Sequence, residues 1–168
     1  TKVGIENSYN YLVNLGVSTK ALNADGVGLA LGTSGITVIE MAGAYGCIAN
    51  GGTYLEPLSF SKVVDNNGNT ILDANEVRET RQVYKPSSAY MLVDALTNAA
   101  NSGTGWRAKL SGITTAGKTG TNHGNRGVFF AGMTGYYTST IWIGHDEYKS
   151  LPRAYGGDTA APIWKTYM

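Results

Sequence analysis

Ile113-Thr114-Thr115-Ala116-Gly117-Lys118-Thr119-Gly120-Thr121, then a short polar turn and two apolar runs ending at His145-Asp146, form the stretch from which the rest of the chain is read. Thr114 and Thr115 begin a β-prone run that Lys118 to Thr121 closes. Val128-Phe129-Phe130-Ala131-Gly132-Met133 and Ser139-Thr140-Ile141-Trp142-Ile143-Gly144 carry the β-branched and aromatic residues of two further strands. The link between them, Thr134-Gly135-Tyr136-Tyr137, is short enough to make them antiparallel neighbours. The expectation is a meander of three strands whose first strand ends in a cationic, glycine-containing segment.

That segment has the chemistry of a site. A lysine is disfavoured inside a strand unless it lies at an edge or faces something polar. A glycine in a strand weakens it and marks a place where a ligand or another backbone comes close. A free sheet edge presents unpaired N–H and C=O groups, so an extended peptide can add to it as a strand. Lys118 would then supply positive charge and Thr119 a hydroxyl, which suits a carboxylate, and the Thr121 N–H could point at a developing oxyanion. Taken alone, the tetrapeptide fits equally well an exposed edge lysine that discourages aggregation.

The surroundings add a resemblance. Ala116-Gly117-Lys118-Thr119-Gly120-Thr121 resembles the Lys-Thr-Gly box of penicillin-binding proteins and serine β-lactamases. Ala30-Leu31-Gly32, then Gly35 to Tyr45, then Ala49-Asn50-Gly51-Gly52-Thr53-Tyr54 are similar to the helix region before that box in class A, bifunctional, penicillin-binding proteins. Gly103-Thr104-Gly105, Phe129-Phe130-Ala131-Gly132, Trp142 to Asp146 and Ala161-Pro162-Ile163-Trp164 follow in the same order. The resemblance covers nearly all of the 168 residues. It implies an α+β fold, an antiparallel sheet flanked by helices, with residues 1–168 as the C-terminal portion of one transpeptidase domain.

The resemblance also implies an activity. Such enzymes open the D-alanyl-D-alanine end of a peptidoglycan stem peptide through a serine acyl-enzyme, and β-lactams mimic that terminus. Carried over, Lys118 sets the potential and hydrogen-bonds a second serine. Thr119 and Thr121 hold the carboxylate, Gly120 lets the acyl chain lie against the strand, and the Thr121 N–H completes the oxyanion hole. No cofactor or metal is implied. The protein would sit on the outer face of the cytoplasmic membrane, anchored by an upstream segment. A serine β-lactamase, a D,D-carboxypeptidase and a non-catalytic sensor of β-lactam or peptidoglycan are the rival readings.

The nucleophile is not found here. Ser59-Phe60-Ser61-Lys62 has the spacing of a Ser-x-x-Lys motif but falls on a hairpin strand, where residues three apart face opposite sides. Ser8-Tyr9-Asn10 has the form of Ser-x-Asn but lies within the first helix. The serine, its lysine and the second serine are therefore expected on an N-terminal segment that acts as a nicked or separate partner. His145-Asp146-Glu147 cannot converge on one ion, because consecutive strand residues alternate faces. His123, in the turn after the box, reads as a solvated turn histidine. Asn125-Arg126 is followed by Gly127-Val128 where many relatives carry an acidic residue, which leaves the ion pairing of that turn open. Gly26-Val27-Gly28 lacks the third glycine of a dinucleotide loop, and Gly32-Thr33-Ser34-Gly35 is no nucleophile elbow.

Composition sets bounds. A net charge of +1 gives no field to recruit nucleic acid. Charged residues are 15%, against roughly 25% in an average domain. The 23 glycines, about twice the usual share, fit short strands and close backbone approaches. Cys47, the single cysteine, reads as a small core residue.

Elsewhere, Ile5, Tyr9, Leu12 and Leu15 mark a helix stopped by Gly16, and residues 17–33 read as irregular. Thr37 and Glu40 form a capping box for a helix burying Met41, Ala42, Tyr45, Ile48 and Ala49. Phe60 to Leu72 is a hairpin turning at Asn66 to Asn69, and Asp73 to Tyr84 a polar linker. Pro86 to Asn101 is a helix with Ala89, Leu92, Val93, Leu96 and Ala100 on one face. Gly156-Gly157 is a linker, with Asp158 or Thr159 capping a last helix.

Overall fold

The computed structural model describes residues 2–168. Apolar residues at helical spacing form α1 (Ile5–Asn14), which breaks at Gly16. The segment expected to be irregular holds one short helix, α2 (Val27–Leu31), too brief for its periodicity to show. At the start of α3 (Val38–Ala49) the capping box is present. The Glu40 N–H donates to Thr37 Oγ1 at 3.2 Å, and the Thr37 N–H to Glu40 Oε2 at 2.8 Å. Glu40 Oε1 also accepts from the Ser18 N–H at 2.7 Å, which ties the preceding loop to the helix.

The buried face of α3 is rotated from the expected one. Gly43, Ala44, Cys47 and Ile48 are buried, Met41, Ala42 and Tyr45 are half-buried, and Ala49 is exposed. The small residues at 43, 44 and 47 let the helix close on Leu15 and Tyr54. Burial pushes the Cys47 thiol up to about 11, with the nearby Arg81 charge opposing it, so this thiol is protonated and inert at neutral pH.

Next come β1 (Thr53–Leu55) and a hairpin of β2 (Lys62–Val64) with β3 (Thr70–Asp73). Asp65 organises its turn by accepting the N–H groups of Asn67 and Asn69, each at 2.8 Å. The expected polar linker at 73–84 is instead structured, as α4 (Ala74–Val77) and β4 (Thr80–Gln82), the latter antiparallel to β1. Thr-Arg-Gln gives no apolar signal. The strand is held through Arg81, which stacks 4.5 Å over the Tyr54 ring and donates from Nε to Asn14 O at 2.7 Å. Helix α5 (Pro86–Asn101) has the expected bounds and buries Ala89, Leu96 and Ala100, while Leu92 stays exposed.

The expected meander is β5 (Ala116–Thr121), β6 (Gly127–Met133) and β7 (Thr138–Gly144), antiparallel in that order. Strand β5 starts two residues later than Thr114. Thr115 is instead a buried loop anchor whose hydroxyl accepts the Leu110 N–H at 3.1 Å. Pairing Lys118 with Ala131 and Thr119 with Phe130 assigns the two faces. One carries Ala116 and Met133 and packs on Ile48 of α3 and Leu96 of α5. The other carries Phe130, fully buried edge-on to Trp164 at 5.2 Å between ring centroids.

Trp164 belongs to α6 (Ala161–Tyr167) and donates its indole N–H to Ser139 O at 3.0 Å. The expected linker and cap before this helix are corrected. Gly156–Ala160 is a π-helical turn running straight into α6, no side chain caps the helix, and Asp158 pairs with Arg107 at 3.1 Å.

Gly132 makes room for these rings. A Cβ there would lie 2.6 Å from Phe130 and 2.8 Å from Trp164. Gly132→Ala is expected to cost about 1–3 kcal/mol through overpacking. Gly135→Ala, with open space around the added methyl, should stay within about 0.5 kcal/mol. Chemical denaturation of the complete transpeptidase domain checks both.

The Glu40 carboxyl is worked on in two directions. Burial disfavours its charge, but the Thr37 and Ser18 N–H groups and the Thr37 hydroxyl outweigh that and hold it below its ordinary value. The unfolded chain therefore binds the proton more readily. The resulting stability is present at neutral pH and is lost as the pH falls through the glutamate range and below. Glu40→Gln is expected to flatten that acid limb in melting temperatures measured against pH, and Thr37→Ala to cost about 1 kcal/mol.

Candidate active site

Among the described residues, strand β5 pairs with β6 on one side and with no strand on the other. Beyond its end the Asn122 N–H donates to Gly127 O at 3.1 Å. Antiparallel alternation from that pair turns the N–H and C=O of Lys118 and Gly120 toward β6, and those of Thr119 and Thr121 toward the open edge. The Thr121 N–H thus faces outward, as an added strand or an oxyanion requires.

Pleating places Thr119 and Thr121 on one face of the sheet and Lys118 on the other. The lysine arm overcomes this separation. It folds along the edge until Nζ lies 3.1 Å from Thr119 O and 3.4 Å from Thr119 Oγ1. No carboxylate lies within ion-pair distance of Lys118 among the described residues, so its charge is not neutralised in place. Lys118, Thr119, Gly120 and Thr121 therefore stand together on one edge, with the charge, two hydroxyls and an outward N–H brought close to one another.

Two loops brace that edge. The Gly156 N–H donates to Thr121 Oγ1 at 3.0 Å, and Thr104 Oγ1 lies 2.6 Å from Thr119 Oγ1. The close approach at Gly120 is to backbone: a Cβ at Gly156 would lie 2.5 Å from Gly120 O and 3.0 Å from Gly120 N. On the Lys118 face, Gly120 lies in register with Phe129 and Trp142, and Trp142 is 45% exposed, an aromatic surface beside the lysine.

The other candidates are dispersed. Ser59 precedes the β2–β3 hairpin and Lys62 lies 4.0 Å from Asp73, so this string builds no nucleophile. Ser8 lies in α1 and gives its hydroxyl to Gly4 O at 2.8 Å. It also borders an apolar cavity of about 490 Å³ lined by Val3, Ile5, Leu12, Leu29 and Tyr84. His145 to Glu147 form a turn, in which Glu147 pairs with Lys149. His123 is exposed in a short turn, and Arg126 lies 5.2 Å over the Tyr148 ring in place of an acidic partner. Sequence reasoning missed Gly156 as a donor and Thr104 as a neighbour of Thr119. Gly103-Thr104-Gly105 carries no sequence signal beyond its order in the chain. Among the described residues no helix is long and apolar enough to cross a membrane.

Comparison with known proteins identifies the family. The penicillin binding protein transpeptidase domain family matches residues 2–168. Penicillin-binding protein 1A of Clostridium acetobutylicum is 36% identical over 169 residues, which is 92% of this chain and 20% of the relative. The chain thus spans about a fifth of that relative's length. The crystal structure of penicillin-binding protein 1A from Haemophilus influenzae matches with a TM-score of 0.85 at 28% identity, over 98% of this chain and 30% of that one. The PonA1 protein of Mycobacterium tuberculosis in complex with penicillin V matches with a TM-score of 0.71 at 27% identity, over 85% of this chain and 39% of that one. The chain, matched from residue 2 to residue 168, belongs to the penicillin binding protein transpeptidase domain family.

Proposed function

We propose that residues 1–168 supply the carboxylate-binding and oxyanion side of a peptidoglycan D,D-transpeptidase site. They would form the C-terminal portion of one domain, whose serine nucleophile, its lysine and a second serine come from an N-terminal segment. The observation that carries this reading is the open edge of β5, where Lys118 Nζ reaches Thr119 O at 3.1 Å beside the hydroxyls of Thr119 and Thr121. The solvent-exposed apolar residues Ile5, Val27, Leu31, Ile39, Tyr90 and Met91 support a missing partner surface.

A stem peptide ending in D-alanyl-D-alanine lies along β5 as an added strand. Lys118 and the two threonine hydroxyls hold its terminal carboxylate. The seryl oxygen from the N-terminal segment attacks the carbonyl of the penultimate residue. The Thr121 N–H stabilises the oxyanion, and the terminal D-alanine leaves as the acyl-enzyme forms. An amine from a neighbouring stem then takes the acyl group. β-Lactams enter by the same contacts and stay attached. The similarity to penicillin-binding protein 1A further supports a bifunctional glycosyltransferase and transpeptidase held at the outer face of the cytoplasmic membrane.

Lys118→Ala in the complete protein is expected to slow acylation by a labelled penicillin by ~10²-fold or more, the scale of losing a preorganised electrostatic contact. Unchanged acylation in a folded variant would refute the assignment. Residues 1–168 alone should form no covalent adduct with the same reagent, as read by mass spectrometry. An adduct would place the nucleophile within this chain.

A further inference from the structure

The hydroxyl pair Thr104–Thr119 has a role of its own. We propose that Thr104 is a positioning residue that fixes the Thr119 hydroxyl as a hydrogen-bond donor toward the ligand carboxylate. This rests on the carboxylate-binding reading of β5.

A threonine hydroxyl has one proton to give and two lone pairs to receive with. A carboxylate only accepts, so each hydroxyl that grips it must spend its proton there. Lys118 Nζ can only donate, and it occupies one lone pair of Thr119 Oγ1 at 3.4 Å. The contact at 2.6 Å to Thr104 Oγ1 is short enough to be a strong bond in either direction. If Thr104 donates, both lone pairs of Thr119 are filled and its own proton is left for the open edge. If Thr119 donates instead, its proton is consumed inside the protein, and a carboxylate would meet a bare oxygen. The neighbouring hydroxyl shows the first pattern: the Gly156 N–H fills a lone pair of Thr121 Oγ1 at 3.0 Å. Two hydroxyls two residues apart would then be set as donors on one face.

Thr104 is held to this task. Its loop follows α5 and leads into a 3-10 turn at Trp106–Ala108, with the Gly105 N–H on Ala99 O at 3.1 Å and the Ala108 N–H on Gly105 O at 2.8 Å. Arg107 pairs with Asp158 at 3.1 Å and so joins this turn to the Gly156–Ala160 turn. Gly157 permits the contact between the loops, because a Cβ there would lie 2.4 Å from Thr104 O. One hydroxyl of the gripping pair is thus served by each loop.

The test uses the complete transpeptidase domain with benzylpenicillin and its methyl ester, which lacks the carboxylate. The ratio of their acylation rate constants reads the carboxylate contact and is independent of the fraction of folded enzyme. Thr104→Val is expected to lower the ratio about tenfold, the scale of a hydrogen bond to a charged group. Thr104→Ser should restore it, and Thr104→Val should add nothing once Thr119→Val is present. If Thr119→Val leaves the ratio unchanged, the carboxylate reading of β5 fails. If Thr119→Val collapses it while Thr104→Val does not, or raises it, Thr104 does not position the hydroxyl and the present inference fails.

Discussion

An edge strand exposes a row of N–H and C=O groups that must be met by water, by another strand or by a ligand. In this chain that edge is β5, and the arrangement around it keeps the edge open while fixing its position. Antiparallel pairing with β6 secures one side over all six residues from Ala116 to Thr121. Helices α3 and α5 press on Ala116 and Met133 from one face, and α6 presses on Phe130 from the other. These contacts bury Ala116 and Gly117 at the start of β5 and leave Lys118, the next residue along, exposed. The strand is rigid where it is packed and available where it is charged.

This division depends on small residues. Helix α6 can reach the sheet because Gly117 and Gly132, partners in register, leave space for the Phe130 and Trp164 rings. The Gly156–Ala160 turn can lie against β5 because Gly156 sits over the Gly120 backbone. Each larger side chain at such a point would lift a layer away from the strand, and the lost dispersion contacts fall steeply with distance. The high glycine content thus serves the approach of backbone layers to a strand whose own side chains are kept for a ligand.

Much of this was legible in the chain itself. Helix α5 and the capping box of α3 are written in local chemistry, in Pro86 and in the Thr37–Glu40 pair, and local chemistry survives whatever the rest of the fold does. The meander was legible from β-branched runs with a short link. Strand β4 was not, because Thr80-Arg81-Gln82 is stabilised by the distant Tyr54 ring and Asn14 carbonyl. The buried face of α3 differs from the periodicity for a related reason. Helical spacing points to Met41, Ala42, Tyr45, Ile48 and Ala49 as the packing side, whereas close approach to Tyr54 selects Gly43, Ala44 and Cys47 and keeps only Ile48 of that set fully buried. At the site, Lys118 to Thr121 could be found because they are contiguous. Gly156 and Thr104 act across gaps of 35 and 15 residues, and no local pattern encodes such a contact.

The charge balance bears on how such an edge would hold an anion. Lys118 is exposed, so its attraction at long range is screened within about 8 Å at physiological salt. An exposed ammonium on a flexible arm also defines no direction. The neighbouring hydroxyls and the outward N–H of Thr121 belong to the strand itself and would supply what the lysine lacks, uncharged groups of defined direction. Cation and donors together divide recognition into attraction and alignment. The folding of the lysine arm across the pleat, to Thr119 O at 3.1 Å and Thr119 Oγ1 at 3.4 Å, brings the attracting charge to the same strand edge as these hydroxyls.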